Sequence, residues 1–223
     1  MTVGVGEILP LALVVTISPL NIIPAILLLS TARPLVAATT FLVGFVLGVA
    51  VVLGTLVAVA GAVDLSSGSS HGRWGAVLKL VLGAYLLIAA VQKFRGRPRD
   101  GEPGSMPGWM DGVAGYTPPK AFGAGCVLGA GNPKNIVMAA AAAATIASGG
   151  LATGEEIAVV GVSVAIAALG MLTPILVTVL LGARASDVLE GWNQWLRQNN
   201  ATVMSVLFVV FGVVLIGQGM AGV

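Results

Sequence analysis

Six stretches of this chain are apolar over the length needed to cross a bilayer: about 8–30, 36–63, 75–93, 121–148, 157–182 and 202–221. A helix needs about 20 such residues to cover the hydrocarbon. No water reaches the backbone there, so a span must close its own hydrogen bonds as a helix or within a closed barrel. The alternation of polar and apolar residues that a barrel strand requires is missing. The expected fold class is an all-α integral membrane protein with six transmembrane helices. Composition agrees, with 57% hydrophobic and only 9% charged residues, against about a quarter charged in a soluble domain. The opening MTVGVGE lacks the basic region of a secretory signal, so the first span is expected to be retained.

The same inventory excludes several chemistries. A net charge of +2 with no basic face argues against a nucleic-acid partner. The single cysteine, Cys126, rules out a disulfide framework or a cysteine-based zinc site. The lone histidine, His71, sits in a polar loop and reads as solvated. No carboxylate lies deep in a span to hold a hard cation. Walker, G-x-S-x-G and H-E-x-x-H motifs are absent. The expectation is a non-enzyme without cofactor or metal.

Lysines and arginines orient the spans. Arg33, Lys93, Arg95, Arg97, Arg99, Lys120, Arg184 and Arg197 fall on one side of a six-span arrangement, against Arg73 and Lys79 on the other. The basic side is expected to be cytoplasmic, which puts both termini outside. The connection 94–119 is rich in glycine and proline and is not a long helix. Trp109, Met110 and Tyr116 within it suit the headgroup level, and ASDVLEGWNQWLRQNN (185–200) reads as a surface-lying amphipathic segment.

Two motifs break the apolar pattern. ISPLNIIP (17–24) interrupts span one, and GNPKNIVM (131–138) interrupts span four. Pro19 and Pro133 are 114 residues apart, as are Asn21 and Asn135. Each half holds three spans, and an odd number forces the second half to enter from the opposite face. The expected organisation is therefore two inverted three-helix repeats, as in many secondary transporters. Residues 1–95 form the first repeat, 96–119 a cytoplasmic linker, and 120–223 the second, inverted repeat.

Proline lacks an N–H and clashes with the carbonyl one turn back, so helices 1 and 4 should be broken or kinked at Pro19 and Pro133. A second proline, Pro24, is expected to widen the first break. Ser18, Asn21, Asn132 and Asn135 can satisfy the released backbone groups or meet a ligand. Lys134 is the sharper clue, because a cation at mid-span costs about 2.5–3.5 kcal/mol on insertion scales. Two uses stand side by side: bonding loose carbonyls at the breaks, or facing a cavity and binding an anion with help from the helix N-termini.

SPLN in span one and NPKN in span four resemble the lysine-exporter superfamily. The longer string PGWMDGVAGYTPPKAFGAGCVLGAGNPKN resembles its actinobacterial Gap/Sap branch, the glycolipid-addressing proteins. The resemblance implies a small inner-membrane exporter involved in delivering glycolipids to the cell envelope.

The expected function is a secondary exporter or flippase-like facilitator for an anionic amphiphile. Lys134 would bind the anionic group, Asn21, Asn132, Asn135 and Ser18 would orient it, and Pro19, Pro133 and Pro24 would act as hinges. Export of small amino or organic acids is the alternative, and a non-transporting accessory subunit of a lipid-export machine is another. The expected partners are an anionic lipid or small-molecule substrate and membrane lipids, with a homo-oligomer or a larger export system left open as the assembly. The expected location is the bacterial inner membrane.

Overall fold

The computed structural model describes residues 16, 18–62, 72–98, 107–149 and 151–221. Residues 8–15 of the first span, both chain termini, Glu7, His71 and Arg99 lie outside the described residues. Among the described residues there are seven α-helices and no strand. They are α1 (Pro19–Leu29), α2 (Pro34–Ala62), α3 (Gly72–Arg95), α4 (Pro118–Gly131), α5 (Pro133–Ser148), α6 (Thr153–Leu181) and α7 (Ala185–Ala221). Short 3-10 segments cover Gly108–Gly115 and Gly182–Arg184.

Three helical stretches, Pro34–Ala62, Arg73–Arg95 and Thr153–Ala221, are long and apolar enough to cross a membrane. The last comprises α6, the second 3-10 segment and α7. The outer surface carries large apolar side chains, including Val51, Ile88, Val127 and Leu180, all exposed. A surface this apolar is uncommon on a soluble protein and suits lipid as the surrounding solvent. The chain is a membrane protein.

The core is built where small residues let backbones meet. A methyl group added at Gly125 would strike the carbonyl oxygen of Phe41, and one at Gly44 would strike that of Phe122. Gly48 and Gly129 repeat the arrangement one turn on, against Cys126 and Phe45. Residue numbers rise together along both helices, so α2 and α4 run parallel. Each offers a small-x-x-x-small face to the other. Phe41 and Phe45 are fully buried beside this seam.

A second seam joins α3 and α7, which run antiparallel. Gly83 meets Gly212 and Ile216, and Gly219 meets Ala76 and Leu80. The third close approach is between Gly170 of α6 and Thr16, whose hydroxyl donates to the Ile166 carbonyl at 2.6 Å.

Span four is broken at Asn132 into α4 and α5, as expected from its proline, and neither the 14 nor the 16 residues alone cover hydrocarbon about 30 Å thick at 1.5 Å per residue. Four other expectations need correction. Pro24 lies inside α1 without interrupting it. Its missing N–H deprives only Leu20, in the helix's first turn, of an intrahelical donor. The segment 185–200 is not a separate surface helix but the start of the 37-residue α7. Its Ala185 and Leu189 are buried against Ile26 of α1, so tertiary packing carries the helix on into the last span. Met110 is 1% exposed, because the Gly108–Gly115 turn tucks it into the protein rather than leaving it at headgroup level. Lys79, counted only among the charges of the outer side, is a buried residue of α3.

Gly125→Leu is expected to prevent correct folding, since overpacking against backbone costs about 1–3 kcal/mol or more. Gly123→Leu, which meets open space, should be tolerated. Membrane abundance and monodispersity after detergent extraction compare the two, and equal yields would remove the α2–α4 seam as the source of stability.

Candidate functional site

Both interruptions have the same local cause. At Ser18 the backbone is extended (φ −123°, ψ 111°), and Pro19 then opens α1. At Asn132 it is extended again (φ −72°, ψ 117°), and Pro133 opens α5. Proline suits the first helical position, where its absent N–H would have had no intrahelical partner. The preceding residue is pushed out of the helical region by the proline ring. Each motif therefore starts a helix whose N-terminus lies inside the protein, and the second also ends α4.

Side chains finish these ends. Asn132 Oδ1 accepts a hydrogen bond from the Lys134 amide at 3.1 Å, the N-cap arrangement. Asn135 Nδ2 donates across the break to the Leu128 carbonyl at 3.1 Å, an acceptor that α4 releases when it stops. Ser18, Asn21, Asn132, Lys134 and Asn135 are all buried.

A cavity of about 610 Å³ gathers four of the expected site residues: Ser18 from the first break, and Asn132, Pro133 and Lys134 from the second. Asn21 and Asn135 are not in its wall. Asn135 is instead engaged with the carbonyl end of α4, and Pro19 and Pro24 lie in α1 outside the lining. The remaining wall comes from residues that sequence reading left out of the site. They include Tyr85, Gln92 and Lys93 of α3 and Asn200 of α7. The available signal was polar residues recurring toward the end of span three, with Lys93 read only as an orientation marker.

The cavity is built for negative charge. Among the described residues its lining contains Lys93 and Lys134 and no carboxylate. Two helix N-termini, at Ser18 and Asn132, add partial positive charge of about +0.5 each. Ser18 Oγ, Asn132 Nδ2 and Asn200 Oδ1 have no hydrogen-bond partner among the described residues, and buried polar atoms of this kind call for a ligand or water. Lys93 and Gly96 mark the end of the cavity where α3 finishes. Nearby Arg97 rests over the Phe94 ring at 3.8 Å.

Comparison with known proteins gives one match. The family model described as "Sap, sulfolipid-1-addressing protein" matches residues 8–221, almost the whole chain. No curated protein and no solved structure matches it.

Asn135→Ala is expected to destabilise the protein by about 1–3 kcal/mol, the cost of leaving a buried carbonyl unpaired. A lower thermal midpoint in detergent would register it, and an unchanged midpoint would remove Asn135 from the break. Asn132→Ala should cost about 1 kcal/mol through loss of the cap, with Asn132→Asp retaining most of it; the same melting measurement checks both.

Proposed function

The chain belongs to the Sap, sulfolipid-1-addressing protein, family, and on that premise we propose that it is a secondary-type exporter or flippase-like facilitator. Its cargo is an anionic amphiphile, a glycolipid or its precursor, moved towards the cell envelope. The observation that carries this reading is the meeting of two helix N-termini with Lys134 in one cavity. A sulfate, phosphate or carboxylate headgroup would receive charge-assisted hydrogen bonds there and the favourable ends of two helix dipoles. Ser18 and Asn132 orient the group, while Lys134 supplies the charge.

Two further features support it. Tyr85 lines the cavity and is also half exposed on the apolar outer surface, next to Val81 and Ile88. This favours sideways entry of a lipid headgroup whose chains stay in the bilayer. Second, close glycine contacts occur in both halves, which favours an inverted duplication. Gly48 approaches Ala130, Gly170 approaches Thr16, and Thr16 and Ala130 stand at the same 114-residue offset as the motifs. Gly83 and Gly212 each approach the other's carbonyl oxygen.

In this reading the basic end faces the cytoplasm of the inner membrane and both termini lie outside. Pro19 and Pro133 serve as hinges, and the cavity is open inward. The wider kinship with lysine exporters that SPLN and NPKN suggest belongs to the same reading.

The test is a deletion strain complemented with wild type or with Lys134→Met at matched abundance. Surface-extractable lipids, total lipids and medium solutes are compared. Wild type should restore one surface lipid that the deletion strain retains inside. Lys134→Met should leave its surface fraction about tenfold lower or worse, as expected for losing a charged hydrogen bond worth about 1.5–3 kcal/mol. Full rescue by Lys134→Met would sink the site and favour an accessory role. Unchanged lipids with an amino or organic acid trapped inside would favour a small-solute exporter.

A further inference from the structure

The transport reading makes no use of Lys79, although this lysine is only 9% exposed within an apolar helix. Ionisable side chains inside a membrane helix are retained for a pairing or a pathway. Position on α3 shows which groups it accompanies. Lys79, Leu86, Ala90 and Lys93 are spaced i, i+7, i+11 and i+14, which sets them on one strip of the helix. Leu86 and Lys93 both line the anion cavity. Lys79 is about 10 Å along the axis from Leu86, on the side away from Lys93, and about 21 Å from Lys93 itself.

The packing of α3 on α7 divides this strip in two. Beside Lys79 the helices are closed, with Ala76, Leu80 and Gly83 against Gly219, Ile216 and Gly212. Leu87 still packs on Gly212, while Tyr85, Gln92 and Lys93 line the cavity together with Asn200, Met204 and Phe208. Leu86, 0% exposed, stands where the cavity meets the closed part. Lys79 is engaged within the fold in this closed arrangement.

We propose that Lys79 is a second anion station, reached when the α3–α7 seam opens and Leu86 moves aside, to which the anionic group passes from Lys134. The inference rests on the transport reading and deepens it. It gives the pathway three lysines in order: Lys93 at the mouth, Lys134 at the paired helix ends, and Lys79 beyond the seal. The ligand chemistry at Lys79 is the same as at Lys134, a lipid-borne sulfate, phosphate or carboxylate. Binding in the present arrangement does not involve Lys79, whereas completed transfer does.

The experiment uses full-length protein and a fluorescent sulfated galactosylceramide as probe. Binding is measured by fluorescence anisotropy in detergent. Movement between leaflets is measured in phosphatidylcholine vesicles by chemical quenching of the outward-facing probe. Lys79→Gln should bind within about twofold of wild type yet move the probe about tenfold more slowly or worse, and Lys79→Arg should recover most of the rate because charge is kept. Lys134→Met, by contrast, should lose binding and movement together. Wild-type movement by Lys79→Gln would overturn the second station alone. A Lys79→Gln protein with a depressed thermal midpoint, whose binding and movement fall in parallel, would make Lys79 a structural post and equally overturn it. Wild-type protein that neither binds nor moves the probe would sink the transport reading, and this inference with it.

Discussion

A peptide group inside hydrocarbon has no water to bond, and the arrangement of this protein depends on two places where helices nevertheless begin in its interior. Pro19 and Pro133 open these helices, whose first amides lack intrahelical acceptors, and at Asn132 the preceding α4 also leaves its last carbonyls. Asn132 caps the Lys134 amide, and Asn135 reaches back to the Leu128 carbonyl. Ser18 Oγ and Asn132 Nδ2, which stay unbonded among the described residues, border one cavity. The interruptions are therefore tolerable only as a pair of ends within protein, and that requirement places polar groups where a site can exist.

Close backbone packing then decides the shape of that site. Between α2 and α4 the glycine faces leave no room for even a methyl group, which holds α4 beside a full-length helix although α4 itself stops short. α3 and α7 are in close contact at Gly83, Gly212 and Gly219, and residues of both helices, from Tyr85 to Lys93 and from Asn200 to Phe208, contribute to the cavity wall. Its charge follows from its composition: two lysines, two helix N-termini and, among the described residues, no carboxylate in the lining. Apolar side chains cover the outside, so the polar interior and the lipid-facing exterior are separated by one layer of helices. Tyr85 reaches across that layer.

Much of this was legible in the primary structure, for identifiable reasons. Apolar length is a one-dimensional property, and the long helices α2, α3 and α6 fall where the apolar stretches lie. Proline acts on its immediate neighbours, so the interruptions at 18 and 132 were readable too. Contributions that depend on which side of a helix faces inward were not. Asn21 and Asn135 occupy matching places in the two motifs yet stay out of the cavity wall, while Tyr85, Gln92 and Asn200, in segments without a motif, enter it. Lys79, counted only among the charges of the outer side, is buried in α3. Pro24 resembled a second breaker, but helix α1 continues through it because only a first-turn carbonyl loses its donor.

By itself, then, the order of residues determined the membrane character and the positions of the two helix starts. These are governed by local rules: hydrophobic length, the missing proline N–H and the fixed proline ring. Only the tertiary structure decided that Ser18 and Lys134, 116 positions apart in the chain, border one cavity, and that α3 and α7 complete its wall. That outcome depends on the rotation of each helix about its axis. Rotation is set where glycines allow two backbones to touch, a contact between distant parts of the chain that no single segment encodes.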